Sequence, residues 1–141
     1  MKTFEAILLK YNCLNKKVNL TVNIDEIEAS VEFDLPYDYK NFIQNYVGFE
    51  EHIGSEYLRL LDASELIETN KDYQIFDYLP NILGIGGNGG GEFIAIEWLD
   101  SENLRVVLCP FIDLNKESFI EIGTSFTNML ERLDNGIEWL T

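Results

Sequence analysis

Gly84, Gly86 and Gly89 satisfy the spacing G-x-G-x-x-G within GIGGNGGGEFIAIEW, which makes phosphate binding the first chemistry to weigh. A dinucleotide cradle needs such glycines to open a helix, whose free N–H groups hold the pyrophosphate. Here they open EFIAIEW, in which Phe93 and Ala95 alternate with Ile94, Ile96 and Trp98, a strand pattern. The other common phosphate loop requires Gly-Lys-Ser or Gly-Lys-Thr, and no lysine stands between Lys71 and Lys116. The run GGNGGG therefore reads as a tight connection between two strands, built on backbone angles that glycine adopts cheaply. Gly90 and Gly91 are expected to let a neighbouring segment approach the backbone closely.

The other reactive side chains are few. His52 is the only histidine, which excludes a site built on several histidines, and its setting GFEEHIGSE offers acids but no nucleophile motif. Cys13 and Cys109 form no C-x-x-C pair and are too few for a disulfide framework or a zinc site; two reduced cysteines suit a cytoplasmic protein. The chain has 25 acids, so paired carboxylates for glycosidic hydrolysis are available, but spacing selects no pair. We expect no catalytic residue, no metal and no cofactor, with an uncharacterised hydrolase using His52 as the enzymatic alternative.

Charge points instead to binding. The net charge is −15, and residues 1–20 hold four lysines against one glutamate, so the remainder is more acidic still. That field disfavours direct contact with nucleic acid or an anionic membrane, whose phosphates are bound by displacing counterions with Lys and Arg. It favours a cationic protein partner and fast, salt-sensitive association. The segment Asp25 to Asp38 holds six acids and no base. Glu50, Glu51 and Glu56 read as one loop, and Glu92, Glu97, Asp100 and Glu102 flank the glycine turn and its strand. Beside Phe49, Tyr57 and Trp98, read as exposed, these acids are the candidate contacts for a basic surface.

The elements that must position them follow from periodicity. Phe4, Ile7, Leu8 and Tyr11 recur at helical spacing, as do Ile24, Ile27 and Val31. In LPYDYKNFIQNYVG, Pro36 is expected at the first helical position and Gly48 as a left-handed stop, with Tyr39, Phe42, Ile43, Tyr46 and Val47 as the core stripe. EYLRLL reads as a strand, and Asp62 with Glu65 has capping-box spacing for a following helix. NILGI, EFIAIEW, LRVVLCPFI and SFIEIG read as successive strands, and Phe126, Met129, Leu130 and Leu133 as the inner face of a last helix closed by Gly136. Short connections between strands imply antiparallel pairing. The N-terminal MKTFEAILLKYNCLNKK does not read as a secretory signal, and no apolar run reaches membrane-spanning length. The expectation is a single layered α+β domain over 1–141, a central antiparallel sheet with flanking helices.

In order, IDEIEASVEFDLPYDYKNFIQNYVG, LRLLDASELIETN, LPNILGIGGNGGGEFIAIEW and SFTNMLERLDNG resemble the SUKH superfamily, named in part for cell-wall glucan synthesis regulators of the Smi/Knr type, over about residues 22–136. The resemblance implies an α+β fold and carries Leu35, Pro36, Tyr39, Phe42, Gly48, Gly89 and Gly91 over as fold markers. It further implies a binding role: an immunity protein that neutralises a basic, often nuclease, toxin domain, or a regulatory scaffold as in the fungal members. GGNGGG is longer than the glycine turn the family pattern leads one to expect.

Overall fold

In the computed structural model, described over residues 3–13, 22–100 and 103–140, the chain builds α1 (Phe4–Lys10), α2 (Ile24–Val31), α3 (Tyr37–Asn45), β1 (Phe49–Ile53), β2 (Glu56–Leu60), α4 (Ala63–Asp72), α5 (Ile75–Tyr78), β3 (Ile82–Gly87), β4 (Glu92–Trp98), β5 (Leu104–Pro110), β6 (Ile120–Gly123) and α6 (Phe126–Asp134). The strands lie in sequence order, each antiparallel to the next. Side chains at alternate positions of a strand point to opposite faces, and both faces of the central strands are buried. Leu83, Ile94, Ile96, Val106 and Leu108 join Phe4 and Ile7 of α1, Tyr39 and Phe42 of α3, and Phe126 and Met129 of α6 in the larger core. The intervening residues Ile82, Phe93, Ala95, Val107 and Cys109 form a smaller core with Ile75 and Leu79, edged by Phe111, Leu114 and Phe119. The domain is thus α+β, and helix α6 sits at its centre, packed on α1, α3 and β6.

Local chemistry accounts for most helix starts. Thr3, Asn23 and Ser125 each cap a helix by accepting a backbone N–H, and Asp62 with Glu65 forms the expected capping box of α4. Asp38 reaches across to accept both the N–H and the hydroxyl of Thr127, at 2.9 and 2.8 Å, which ties the start of α3 to the start of α6. The ring of Phe126 lies 5.7 Å from Phe4, 5.3 Å from Tyr39 and 5.4 Å from Phe42, so the aromatic stripe of α3 is core.

Three expectations are corrected. Pro36 is the N-cap, in extended conformation, and not the first helical residue; its fixed φ of −65° suits either place. Gly48 is not a left-handed stop, because α3 ends at Asn45 and Tyr46 leaves it extended. Gly48 is needed instead for space: a Cβ there would lie 3.1 Å from the N of Asp62 and 3.2 Å from the O of Leu60. The segment holding Glu50, Glu51 and His52 is not loop but strand β1, paired along its length with β2.

Burial governs the alkaline limit of the fold. It pushes the Cys109 thiol up to about 11, and the Tyr46 phenol up to about 12 with help from the charge of Glu5. Tyr39 is raised further, by burial first and by the Asp62 carboxylate second. All three groups are held neutral in the fold, so the unfolded chain releases these protons first as pH rises. Stability that is full below about pH 9 therefore falls between about pH 9 and 12. Calorimetry should give a melting temperature that is level from about pH 7 to 8.5 and several degrees lower by about pH 10.5; a level curve throughout would contradict burial of these groups in the neutral form.

Candidate functional site

The glycines of β3 open a groove. Gly84, Gly86 and Gly87 of this strand contribute only backbone to the lining of a hollow of about 500 Å3. Tyr57 of β2, Tyr73, just past the end of α4, and Phe111 line it as well. Tyr73 and Phe111 have ring centroids 4.5 Å apart, and Phe111 lies 5.2 Å from Phe93, so one wall is a run of packed aromatic rings. Tyr73 remains half exposed at 52%.

Why the floor is glycine follows from backbone packing. A Cβ on Gly86 would fall 1.9 Å from the carbonyl oxygen of Arg59 in the adjoining strand. Gly84 lies against Asn70 of α4, which is fully buried and grips the strand at two points, its Nδ2 donating to Gly84 O at 2.9 Å and its Oδ1 accepting Gly84 N–H at 2.7 Å, while Nδ2 also donates back to Leu66 O of α4 at 2.8 Å. Gly89 takes φ +78° in the turn and rests on the Tyr57 ring, where a Cβ would come within 2.8 Å of Cδ2. Gly91, at φ +109°, completes the turn in open space. The turn reading holds, and the close approaches expected at Gly90 and Gly91 occur instead at Gly84 and Gly86.

The acidic candidates scatter. Glu50 and Glu92 both line the groove. Glu50 accepts the Tyr57 hydroxyl, and that bond, ahead of burial, raises the Tyr57 phenol above its ordinary range. Glu92 accepts from Asn88 Nδ2 at 2.7 Å. Among the described residues neither carboxylate has an ion-pair partner, whereas Arg59, the one base on the groove, is 3.4 Å from Glu65. Glu51 is exposed on β1 outside the hollow. Glu56 is half-buried and accepts Trp139 N–H at 2.8 Å, fastening the C-terminal segment. Glu97 is corrected: it is 4% exposed and serves Arg105 at 2.7 Å and Lys116 at 3.7 Å, because an acid in the smaller core's face must be paired there. Asp100 accepts from Asn103 at the far end of β4, a strand length of roughly 20 Å from Glu92. Glu102 lies outside the described residues.

The aromatics are corrected as well. Phe49 is buried, and Trp98 is half-buried with its ring stacked on Phe33 at 6.2 Å. Tyr57 alone of the three stands at the groove. Tyr73 and Phe111 were not singled out, since Tyr73 is one aromatic in a connecting segment and Phe111 sits in the run LRVVLCPFI, read as strand throughout although β5 ends at Pro110; only the fold brings them together. Of the fold markers, Leu35, Tyr39 and Phe42 are core, while Pro36, Gly48, Gly89 and Gly91 hold the backbone positions just described. His52 is exposed, edge-on to Tyr57 at 5.4 Å. Among the described residues no three His, Cys, Asp or Glu side chains are grouped to hold a metal, and no helix is long and apolar enough to cross a membrane.

No curated protein matches the chain. The family model described as SMI1 / KNR4 family (SUKH-1) matches residues 21–132. That span leaves out α1 but runs from α2 into α6, and so takes in the whole sheet, the glycine floor and the groove above it: the chain belongs to the SMI1 / KNR4 family (SUKH-1).

Proposed function

We propose that this chain is a non-enzymatic protein-binding domain, specifically an immunity protein that neutralises a basic toxin domain, with a nuclease as the leading class. The observation that carries the reading is the pair Glu50 and Glu92, carboxylates without cationic partners among the described residues, set on an aromatic groove in a chain of net charge −15. Carboxylates facing a partner's basic groups both steer the encounter and fix its register. A nuclease domain exposes such groups where it holds its phosphate substrate, so covering them blocks the toxin without any chemistry by the inhibitor.

The test is growth rescue. The C-terminal domain of a large secreted protein encoded beside this chain is expressed alone, with this chain, and with the double charge reversal Glu50→Lys and Glu92→Lys. The native chain should restore growth, and the reversed chain should bind at least about ten-fold more weakly and protect less. A toxic domain against which the native chain gives no protection would overturn the immunity reading in favour of a scaffold that binds without neutralising.

A further inference from the structure

The groove is selective in shape as well as charge. Gly84, Gly86 and Gly87 give only backbone to its lining, which also holds the aromatic residues Tyr57, Tyr73 and Phe111 and the acids Glu50 and Glu92. A flat cation fits such a hollow better than a round one. A guanidinium stacks its plane on an aromatic ring and still presents N–H groups at its edge for carboxylates, whereas an ammonium is a compact, strongly hydrated point charge. The hydroxyl of Tyr57 is turned to Glu50, which holds that carboxylate beside the ring wall. Arg59 lines the same hollow but is drawn to Glu65, so the chain's own guanidinium leaves Glu50, its directly opposed neighbour on β1, without an ion-pair partner among the described residues.

We propose that the groove is an arginine slot: one arginine side chain of the protein partner lies along the glycine floor, its guanidinium against the Tyr73–Phe111 wall and its edge toward Glu50 and Glu92. This rests on the protein-binding reading and names the side chain that the site takes. It separates the acids into two roles. Glu50 and Glu92 receive the arginine, while Glu51, exposed outside the hollow, contributes only to the field that steers the approach.

The probe is methylguanidinium chloride, titrated into the full chain labelled with nitrogen-15, with methylammonium chloride and sodium chloride as controls at matched chloride. Saturable amide shifts are expected at Gly86, Gly87, Gly89 and Phe93, with a dissociation constant on the order of 10 mM for so small a cation. Methylammonium should bind at least about five-fold more weakly. Tyr73→Ala and Glu92→Gln should each weaken the guanidinium about three-fold or more, while Glu51→Gln should not. The remainder of the amide spectrum reports that each variant is folded. Absence of saturable shifts at the groove, equal binding of methylammonium, or unchanged affinity in both Tyr73→Ala and Glu92→Gln would each overturn the slot. The two readings fail separately. Guanidinium binding with failed growth rescue would remove the immunity role and keep the slot; rescue that survives the Glu50→Lys, Glu92→Lys reversal without guanidinium binding would do the opposite.

Discussion

Gly86→Ala is expected to unfold the chain or to remove on the order of 3–5 kcal/mol of its stability, although the change adds a single methyl group. The three atoms nearest to the new Cβ are all backbone: the O of Arg59 at 1.9 Å, its C at 3.0 Å and the Cα of Leu60 at 3.2 Å. No rotamer change can move a carbonyl oxygen, so relief requires β2 and β3 to separate. Those strands pair over only Arg59–Gly87 and Leu60–Gly86, with Leu61 N–H donating to Ile85 O at 2.8 Å just beyond. This short seam joins the β1–β2 hairpin to the remaining strands. Gly90→Ala is the control. Its nearest atom is the Asn88 side-chain oxygen at 3.5 Å, ordinary contact, and its φ is not in the left-handed region, so the change should stay within about 0.5 kcal/mol of the native chain. Urea unfolding of both variants measures the difference. Equal midpoints would mean that the strands at Gly86 yield far more easily than their packing implies.

The same seam explains why the site was only partly legible in the sequence. Strands β3 to β6 announce themselves because both faces of their central residues are apolar or alternate cleanly, and the cap at Asp62 has the capping-box spacing. Strand β1 does not. Three exposed residues, Glu50, Glu51 and His52, follow one another between Phe49 and Ile53, and that run erases the two-residue period of a half-buried strand. Exposed acidic residues on an edge strand also discourage pairing with other chains, so the feature that hides the strand has a use. Glu97 was misplaced for the opposite reason. Its position in EFIAIEW allows either face of the sheet, and its partners Arg105 and Lys116 are 8 and 19 residues away in sequence, beyond any local pattern. The groove is a tertiary object throughout: Tyr57, Tyr73, Phe93 and Phe111 come from four separate segments, and the glycines that mark it are legible only as a tight place in a sheet.

Asn70→Ala should cost on the order of 3–5 kcal/mol, more than most polar truncations, because the partners left behind have no access to water. Asn70 is fully buried, and it satisfies both the N–H and the C=O of Gly84, at a point where β3 shifts register against β4 between Gly84 and Gly86. A strand that breaks register leaves backbone groups that its neighbour cannot pair, and here a side chain from α4 takes that role. Substitution by Asp separates the contributions. The carboxylate can still accept the Gly84 N–H but loses both donations, to Leu66 O and Gly84 O, and adds a buried charge; Asp should therefore destabilise at least as much as Ala. A cost below about 1 kcal/mol for Asn70→Ala in urea unfolding would show that the clamp is dispensable. The consequence reaches the site, because Asn70 is three residues before Tyr73, and the clamp fixes how the end of α4 sits over the glycine floor. A folded but weakened Asn70→Ala chain should thus lose guanidinium affinity without any change in the groove's own side chains, which ties this buried asparagine to the wall that the partner would touch.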